Sequence, residues 1–231
     1  QAAHVVIVAC NGVGTPRLLL NSVSWRFPNG IANSSGLVGK NLMFHPVTWA
    51  QGYFAERLDS HKGPAACCIL SKQFYETDTA RGFVRGYNMQ VSRGAGPLTT
   101  PMAGLATGTI PWGSGHHGAF AKRFDHVASI GVLCEDLPEA HNTVTLDPEL
   151  KDADGIPAPK ITYRYSDNSL QMLAHGQARA EEALRAAGAE ARPALGPNPN
   201  PFYPLLRPAS PVIADATKVP TVELPPTVAT D

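Results

Sequence analysis

The spacing of apolar residues changes along the chain, and each spacing predicts a different element. The run at residues 4–9 (HVVIVA) is continuous and β-branched, which predicts a strand that is covered on both faces. From residue 45 to 165, short apolar runs are separated by glycine, proline and charged clusters, a pattern typical of an antiparallel sheet. After Ser166, apolar residues recur every three or four positions as far as Ala187, which predicts one long helix.

Six runs are predicted as strands of that sheet. They are residues 47–54, 66–70, 83–91, 127–134, 142–146 and 160–165. The intervening stretch 94–117 is rich in glycine, proline and threonine, and it predicts a long loop or lid. The long helix is predicted over residues 167–187, ending at Gly188, with His175 near its buried face as a structural histidine.

The residues that follow the first apolar run predict a turn and a helix start. Gly12 and Gly14 permit a tight turn, Thr15 is a good N-cap, and Pro16 suits the first position of a helix. A helix that begins just after a buried strand is a natural site for an anion. The glycine spacing matches only the first part of a dinucleotide fingerprint, because Arg17 stands where the third glycine belongs. An ordinary strand–turn–helix connection therefore stays open beside nucleotide contact.

Composition narrows the function classes. The formal net charge is zero and charged residues make up 16% of the chain, which argues against a nucleic-acid partner. No apolar run is long enough to predict a membrane span. The four cysteines lack CxxC spacing and the pair His116-His117 lacks a third ligand at a suitable spacing, so no metal site is predicted.

Three segments, taken together and in order, carry a resemblance to a known family. They are VVIVACNGVGTPRLLLNS, NSSGLVGKNLMFHP and the stretch from CEDLPEAHNTVTLDPEL to SLQMLAHG. The first resembles a signature of the glucose-methanol-choline (GMC) family of flavin oxidoreductases, and the second resembles the block in which a VG-x-N-L-x-x-H pattern crosses toward the substrate domain. The third resembles the start of that family's C-terminal region. Together they cover roughly residues 1 to 190.

The resemblance implies an FAD-dependent oxidoreductase that acts on CH–OH groups of small-molecule alcohols or sugars, with an unknown electron acceptor. In that family hydride passes to the flavin while a histidine takes the hydroxyl proton. The fold implied is α+β: a partial FAD-binding βα unit plus an antiparallel substrate-domain sheet packed by one long helix. The residues expected at the cofactor are Ala9, Asn11, Gly12, Gly14, Thr15, Asn41 and His45.

Two parts of the family pattern are missing from this sequence. These are the glycine fingerprint that holds the FAD diphosphate and the block with the catalytic histidine, so no catalytic residue is assigned. The chain is therefore expected to be an internal fragment that is inactive alone. A non-catalytic binding or interaction domain derived from such an enzyme is the alternative.

The expected domain organisation has three parts. Residues 1–44 would be a remnant of the FAD-binding domain, and residues 45–192 the substrate-domain sheet and helix. Residues 193–231 form a proline-rich tail, which is expected to be disordered because proline interrupts both helices and sheet ladders.

Overall fold

The alternation of apolar and polar residues after residue 45 produces an antiparallel sheet in the computed structural model, which describes residues 3–62, 67–106 and 108–193. The strands are β1 (Val47–Tyr53), β2 (Cys67–Ser71), β3 (Tyr87–Ser92), β4 (Val127–Cys134), β5 (Thr143–Lys151), β6 (Pro157–Thr162) and β7 (Glu190–Pro193). The helices are α1 (Asn11–Asn21), α2 (Thr99–Ala106), α3 (His116–Ala121) and α4 (Asp167–Ala186). Five strands form one sheet in the order β2-β3-β4-β1-β7, and β5 and β6 form a separate hairpin.

The described residues fall into two compact units. The first comprises residues 3–44 and 137–166, and the second comprises residues 45–136 and 167–193. The second unit contains the five-stranded sheet and α4, and the first contains α1 and the β5–β6 hairpin. The α+β fold class is thus confirmed, including a long helix packed on an antiparallel sheet.

Helix α4 covers one face of the sheet because its small and apolar residues share one side. The buried residues of α4 are Ser169, Met172, Leu173, Gly176, Ala180 and Leu184. On β1, Thr48, Ala50 and Gly52 are buried, whereas the alternate residues are half-buried. A Cβ added at Gly176 would lie 2.5 Å from Val132 Cγ1, so the helix axis approaches β4 closely. The helix ends before Gly188, which has φ +89° as expected of a glycine stop.

The β5–β6 hairpin does not join the large sheet, in contrast to the prediction for residues 142–146 and 160–165. The reason lies in its backbone partners. Val144 donates its N–H to the Gly39 carbonyl at 2.6 Å, and Leu42 donates to the Asn142 carbonyl at 2.9 Å. The edge of β5 is therefore occupied by residues of the first unit.

Residues 94–117 are not an uninterrupted loop, as was predicted, because α2 and the start of α3 lie within them. The Gly104 carbonyl accepts hydrogen bonds from the N–H groups of Thr109 and Ile110, at 2.8 and 3.0 Å. Ile110 is buried against Gly104, which fixes the chain as it leaves α2. The small residues that favour a loop prediction here allow a close contact instead.

No helix in the described ranges is both long enough and apolar enough to cross a membrane. The predicted tail lies outside the described residues, apart from the backbone of Pro193 in β7.

Candidate functional site

Most of the residues expected at the cofactor lie at the N-terminus of α1. This helix begins at Asn11, earlier than predicted. Asn11 has φ +62°, and its Oδ1 accepts the N–H groups of Val13 and Gly14 at 2.9 and 3.0 Å. The Asn11 side chain thus satisfies two N–H groups of the first turn, and the prediction of an N-cap at Thr15 is wrong because the helix begins four residues earlier. Thr15 lies inside α1, where its Oγ1 accepts the Cys10 N–H at 3.1 Å.

Two other predictions for this segment are also corrected. Gly12 and Gly14 belong to the helix rather than to a tight turn, and Pro16 lies in its interior. The sequence signal that was missed is the Asn11-Gly12 pair, since asparagine tolerates positive φ and caps helices well.

The apolar run before α1 forms no strand. Val5, Val6 and Ile7 are 76%, 77% and 86% exposed, and no backbone ladder involves residues 4–9. The prediction of a strand covered on both faces is therefore wrong for the described part of the chain. A strand needs neighbouring strands for its N–H and C=O groups, and the described residues supply none beside this run.

Small, exposed residues surround the first turn of α1. Ala9, Asn11 and Gly12 are exposed, and a Cβ added at Gly12 would meet no atom within 4 Å. The N-terminus of an eleven-residue helix also carries a partial positive charge. A helix N-terminus with exposed N–H groups favours an anionic group.

Arg17 fixes the position of α1, a role that the sequence did not reveal. Its guanidinium donates to the carbonyls of Pro157 and Ile156 at 2.8 and 3.2 Å and to Asp152 Oδ2 at 2.6 Å. Hydrogen bonding from Arg17 lowers the pKa of Asp152 below its ordinary value. The helix that carries four of the expected residues is thus held against the β5–β6 hairpin.

The other two residues expected at the cofactor, Asn41 and His45, are distant in sequence from the start of α1. Asn41 belongs to the first unit and has φ +59°. Gly39 precedes it with φ +79°, and a Cβ added there would lie 2.1 Å from the Val144 carbonyl oxygen. Gly39 also lies near Leu20, toward the opposite end of α1 from Asn11.

His45 is the first residue of the second unit and is exposed. Its Nδ1 lies 3.4 Å from the carbonyl oxygen of Cys134, at the end of β4. Cys134 itself is buried, and burial raises the pKa of its thiol to about 12. The thiol of Cys134 is therefore neutral and inert. The imidazole of His45 is accessible because the residue is exposed.

His175 is a structural residue of the second unit, as predicted. Its Nδ1 lies 2.8 Å from the hydroxyl oxygen of the buried Tyr87, and its ring packs edge-on against Phe74 and Phe83. Burial lowers the pKa of His175, and the positive charges of nearby arginines add to this effect.

A group of three potential metal ligands, Asp59, His61 and Asp125, lies in the second unit. Asp125 is buried and is hydrogen-bonded to both His61 and Arg57. Burial opposes ionisation of Asp125, but these hydrogen bonds outweigh it and lower the pKa of the carboxyl. Arg57 and Lys62 already neutralise the carboxylates of Asp59 and Asp125. We therefore interpret the group as a structural ion-pair network.

An open groove of about 390 Å³ lies in the first unit, between the end of α1 and β5. Leu20, Val23, Val38 and Leu146 form its apolar wall. None of the seven residues expected at the cofactor lines it.

The sequence is similar to several known oxidoreductases. It is 41% identical over 188 residues to 2-methyl-1,2-propanediol dehydrogenase from Mycolicibacterium austroafricanum, covering 81% of this chain and 34% of that protein. It is 31% identical over 204 residues to the fructose dehydrogenase large subunit from Gluconobacter japonicus, covering 85% of this chain and 36% of the relative. It is 32% identical over 198 residues to the long-chain-alcohol oxidase FAO4A from Arabidopsis thaliana, covering 81% and 23% respectively.

No protein-family model matches the chain. The similarity nevertheless extends over most of the described residues, and the chain spans about a third of the length of the first two relatives.

Proposed function

We propose that the chain forms part of an FAD-dependent enzyme of the glucose-methanol-choline family that oxidises CH–OH groups. The proposal is supported by similarity to oxidoreductases over 23% to 36% of their length. The observation that carries the proposal is the 41% identity over 188 residues to a diol dehydrogenase. The names of the three relatives specify a diol, a sugar and a long-chain alcohol, all of which contain a CH–OH group. A small-molecule alcohol or sugar is therefore the proposed substrate.

We assign the cofactor contact to Ala9, Asn11, Gly12, Gly14 and Thr15. Small side chains at the start of α1 let a large planar group approach the backbone, and the helix N-terminus favours negative charge. FAD, when bound, supplies the hydride acceptor. The role of this chain is then to position the cofactor, with Arg17 holding α1 on the hairpin.

Asn41 and His45 complete the proposed set. Both belong to the segment that connects the two units, since the boundary falls between residues 44 and 45. We propose residues 1–44 as a remnant of the FAD-binding domain and residues 45–192 as the substrate-domain part. The exposed imidazole of His45 is available to contact cofactor or substrate.

We further propose that the chain alone neither holds FAD tightly nor turns over alcohols. The exposed run at residues 4–9 supports this, because an apolar β-branched segment in water lacks the sheet that would stabilise it. A cofactor site built on such a segment is incomplete without those neighbouring strands.

A chimera tests the proposal. Residues 1–190 would replace the matching region of the Mycolicibacterium 2-methyl-1,2-propanediol dehydrogenase, and the chimera and the isolated chain would be purified in parallel. We expect the chimera to be yellow, with flavin absorbance that survives gel filtration and bleaches when alcohol is added. We expect the isolated chain to be colourless.

A folded chimera without flavin would contradict the assignment and favour the alternative, a non-catalytic binding domain. A yellow isolated chain with alcohol-dependent bleaching would show that the chain is complete in itself. Circular dichroism of both proteins distinguishes loss of function from failure to fold.

A further inference from the structure

The sequence contains two Asn-Gly pairs, at residues 11–12 and 29–30. In such a pair the backbone nitrogen of the glycine can attack the side-chain amide carbon of the asparagine, because glycine has no side chain to obstruct the approach. Both pairs lie in the first unit, both asparagines are exposed, and a β-branched residue follows each pair. A difference in their reactivity would therefore come from the fold.

The side chain of Asn11 is folded over the start of α1. Its Oδ1 accepts the N–H groups of Val13 and Gly14 at 2.9 and 3.0 Å, which brings its amide carbon toward the nitrogen of the intervening Gly12. Two N–H donors on this oxygen make the amide carbon more electrophilic and stabilise the negative charge that develops on the oxygen during attack. The positive end of the helix acts in the same direction.

The backbone nitrogen of Gly12 is accessible as the nucleophile. Gly12 is the second residue of α1, and the N–H groups at the start of a helix have no acceptor within it. Among the residues that the structure describes, no carbonyl accepts the N–H of Gly12. Gly12 is also exposed, and a Cβ added there would meet no atom within 4 Å, so water reaches this peptide.

The second pair lacks these features because its glycine is held in place. The N–H of Gly30 donates to the Phe27 carbonyl at 3.2 Å, and the N–H of Ile31 donates to the Leu19 carbonyl at 3.1 Å. Gly30 is buried, and a Cβ added there would lie 2.5 Å from the Leu19 carbonyl oxygen. Attack by the Gly30 nitrogen would require the loss of this turn and of its contact with α1.

From this contrast we propose that Asn11 is a site of spontaneous modification, at which asparagine is converted to aspartate and isoaspartate. The Gly12 nitrogen loses its proton to hydroxide and forms a bond to Asn11 Cγ. The bond between Cγ and the amide nitrogen breaks, and that nitrogen takes up a proton from water and leaves as ammonia. Water then opens the five-membered imide at either of its two carbonyl carbons, and it is the only co-reactant consumed.

The conversion changes the charge at the start of α1. A carboxylate replaces a neutral amide at position 11, and the isoaspartate form also lengthens the backbone by one methylene group. A carboxylate is favourable at a helix N-terminus, so the aspartate form should retain α1. The proposal does not rest on the proposed function. Its product would nevertheless repel an anionic cofactor from a residue that we assign to cofactor contact.

Timed incubation of the purified chain at mildly alkaline pH, followed by tryptic peptide mapping, tests the proposal. Trypsin places Asn11 in the peptide of residues 1–17 and Asn29 in the peptide of residues 27–40. Mass spectrometry measures the replacement of NH₂ by OH, and fragment ions assign it to one position. We expect Asn11 to convert at least about tenfold faster than Asn29 in the folded chain.

The chain denatured in guanidinium chloride is the matched control, since the two pairs there lose their structural differences and should convert at similar rates. Gly12→Ala tests the nucleophile. The added methyl group obstructs attack by the nitrogen of residue 12 but meets no atom of the fold within 4 Å. This variant should reduce the conversion of Asn11 to no more than that of Asn29, with circular dichroism showing that it is folded.

Three results would overturn the proposal. The first is conversion of Asn11 in the folded chain that is absent or no faster than that of Asn29. The second is an equally large preference for Asn11 in the denatured chain, which would assign the difference to flanking sequence rather than to the fold. The third is unchanged conversion of Asn11 in folded Gly12→Ala, which would mean that water attacks the amide directly.

Discussion

A single hydrogen atom in place of a side chain at Gly176 lets α4 lie close to β4. A methyl group there would come within 2.5 Å of Val132 Cγ1, so one of the two must move. Gly176→Ala gains about 1 kcal/mol of helix propensity but incurs an overpacking cost of about 1–3 kcal/mol. We expect a net decrease of about 1 kcal/mol in the free energy of unfolding of the second unit, measured by urea titration.

Gly118→Ala is the matched control for Gly176→Ala. Gly118 is also helical and belongs to the second unit, but an added Cβ meets no atom within 4 Å. The control variant should be as stable as the original chain or more so. An equal loss of stability in both variants would contradict the close contact between α4 and β4.

His175 makes the stability of the second unit depend on pH. Burial lowers its pKa in the folded state, so the unfolded chain, with an ordinary value of about 6.5, binds the proton more readily. The free energy of unfolding should therefore be fully retained above pH 6.5 and decrease as the pH falls below it. His175→Gln keeps a polar partner for Tyr87 and should reduce this dependence between pH 7.5 and pH 5.

The exposed His117 provides the control for this titration. His117→Gln removes an exposed imidazole of the same unit, whose ring lies beside that of His116. It should leave the pH dependence unchanged. If His175→Gln also left the curve unchanged, the protonation of His175 would not be linked to folding.

At the scale of the element, the start of α1 depends on Asn11. Asn11→Ala removes the acceptor for two N–H groups and places a Cβ-bearing residue without a local hydrogen bond at positive φ. We expect a loss of about 1–2 kcal/mol in helix stability, observed as faster amide hydrogen exchange at the start of α1. Asn11→Gly should lose less, because glycine tolerates the backbone conformation.

Thr15→Ala separates the two possible helix starts. Among the residues that the structure describes, Thr15 Oγ1 accepts only the N–H of Cys10, a residue that lies before the helix. Its substitution should change exchange in α1 less than Asn11→Ala does. A larger change in amide exchange in Thr15→Ala than in Asn11→Ala would instead support the helix start that was predicted at Thr15.

The elements that the sequence predicted well are those whose stability is set by their own residues and one neighbouring surface. The strand predicted at 127–134 is β4, and the helix predicted at 167–187 is α4, shorter by one residue. Both carry a clear period and a defined end. The fold class followed from the order of these periods.

The errors arose where distant partners decide the structure. Residues 143–162 have the pattern of sheet strands, but their edge pairs with residues 39–42. Residues 4–9 have the pattern of a buried strand without having its neighbours. The residues of the candidate site were predicted from the family resemblance alone. The role of Arg17 was not predicted, because its hydrogen-bond partner lies about 140 residues away in the sequence.

At the scale of the whole molecule, the exposed apolar run at residues 4–9 should have opposite effects in two settings. In the isolated chain, Val6→Lys removes an apolar side chain from water and should raise the soluble fraction. In the chimera proposed above, the same lysine would be buried in a sheet without a partner charge. We expect the flavin content of the chimera to decrease at least about tenfold.

Val84→Lys is the matched control, since Val84 is 44% exposed and belongs to the second unit. It should leave the flavin content of the chimera unchanged. Normal flavin loading in the Val6→Lys chimera would mean that residues 4–9 stay in water even when the neighbouring domain is present.

The order of strands in the large sheet also determines when each strand meets its neighbours during translation. Strand β1, which lies beside the edge strand β7, is made early, but its two neighbours, β4 and β7, and the covering helix α4 come about 80 to 140 residues later. Until they emerge from the exit tunnel, β1 presents open edges and an uncovered face to the surroundings of the ribosome. Translation speed through residues 54–193 should therefore govern how much of the newly made chain reaches the folded state.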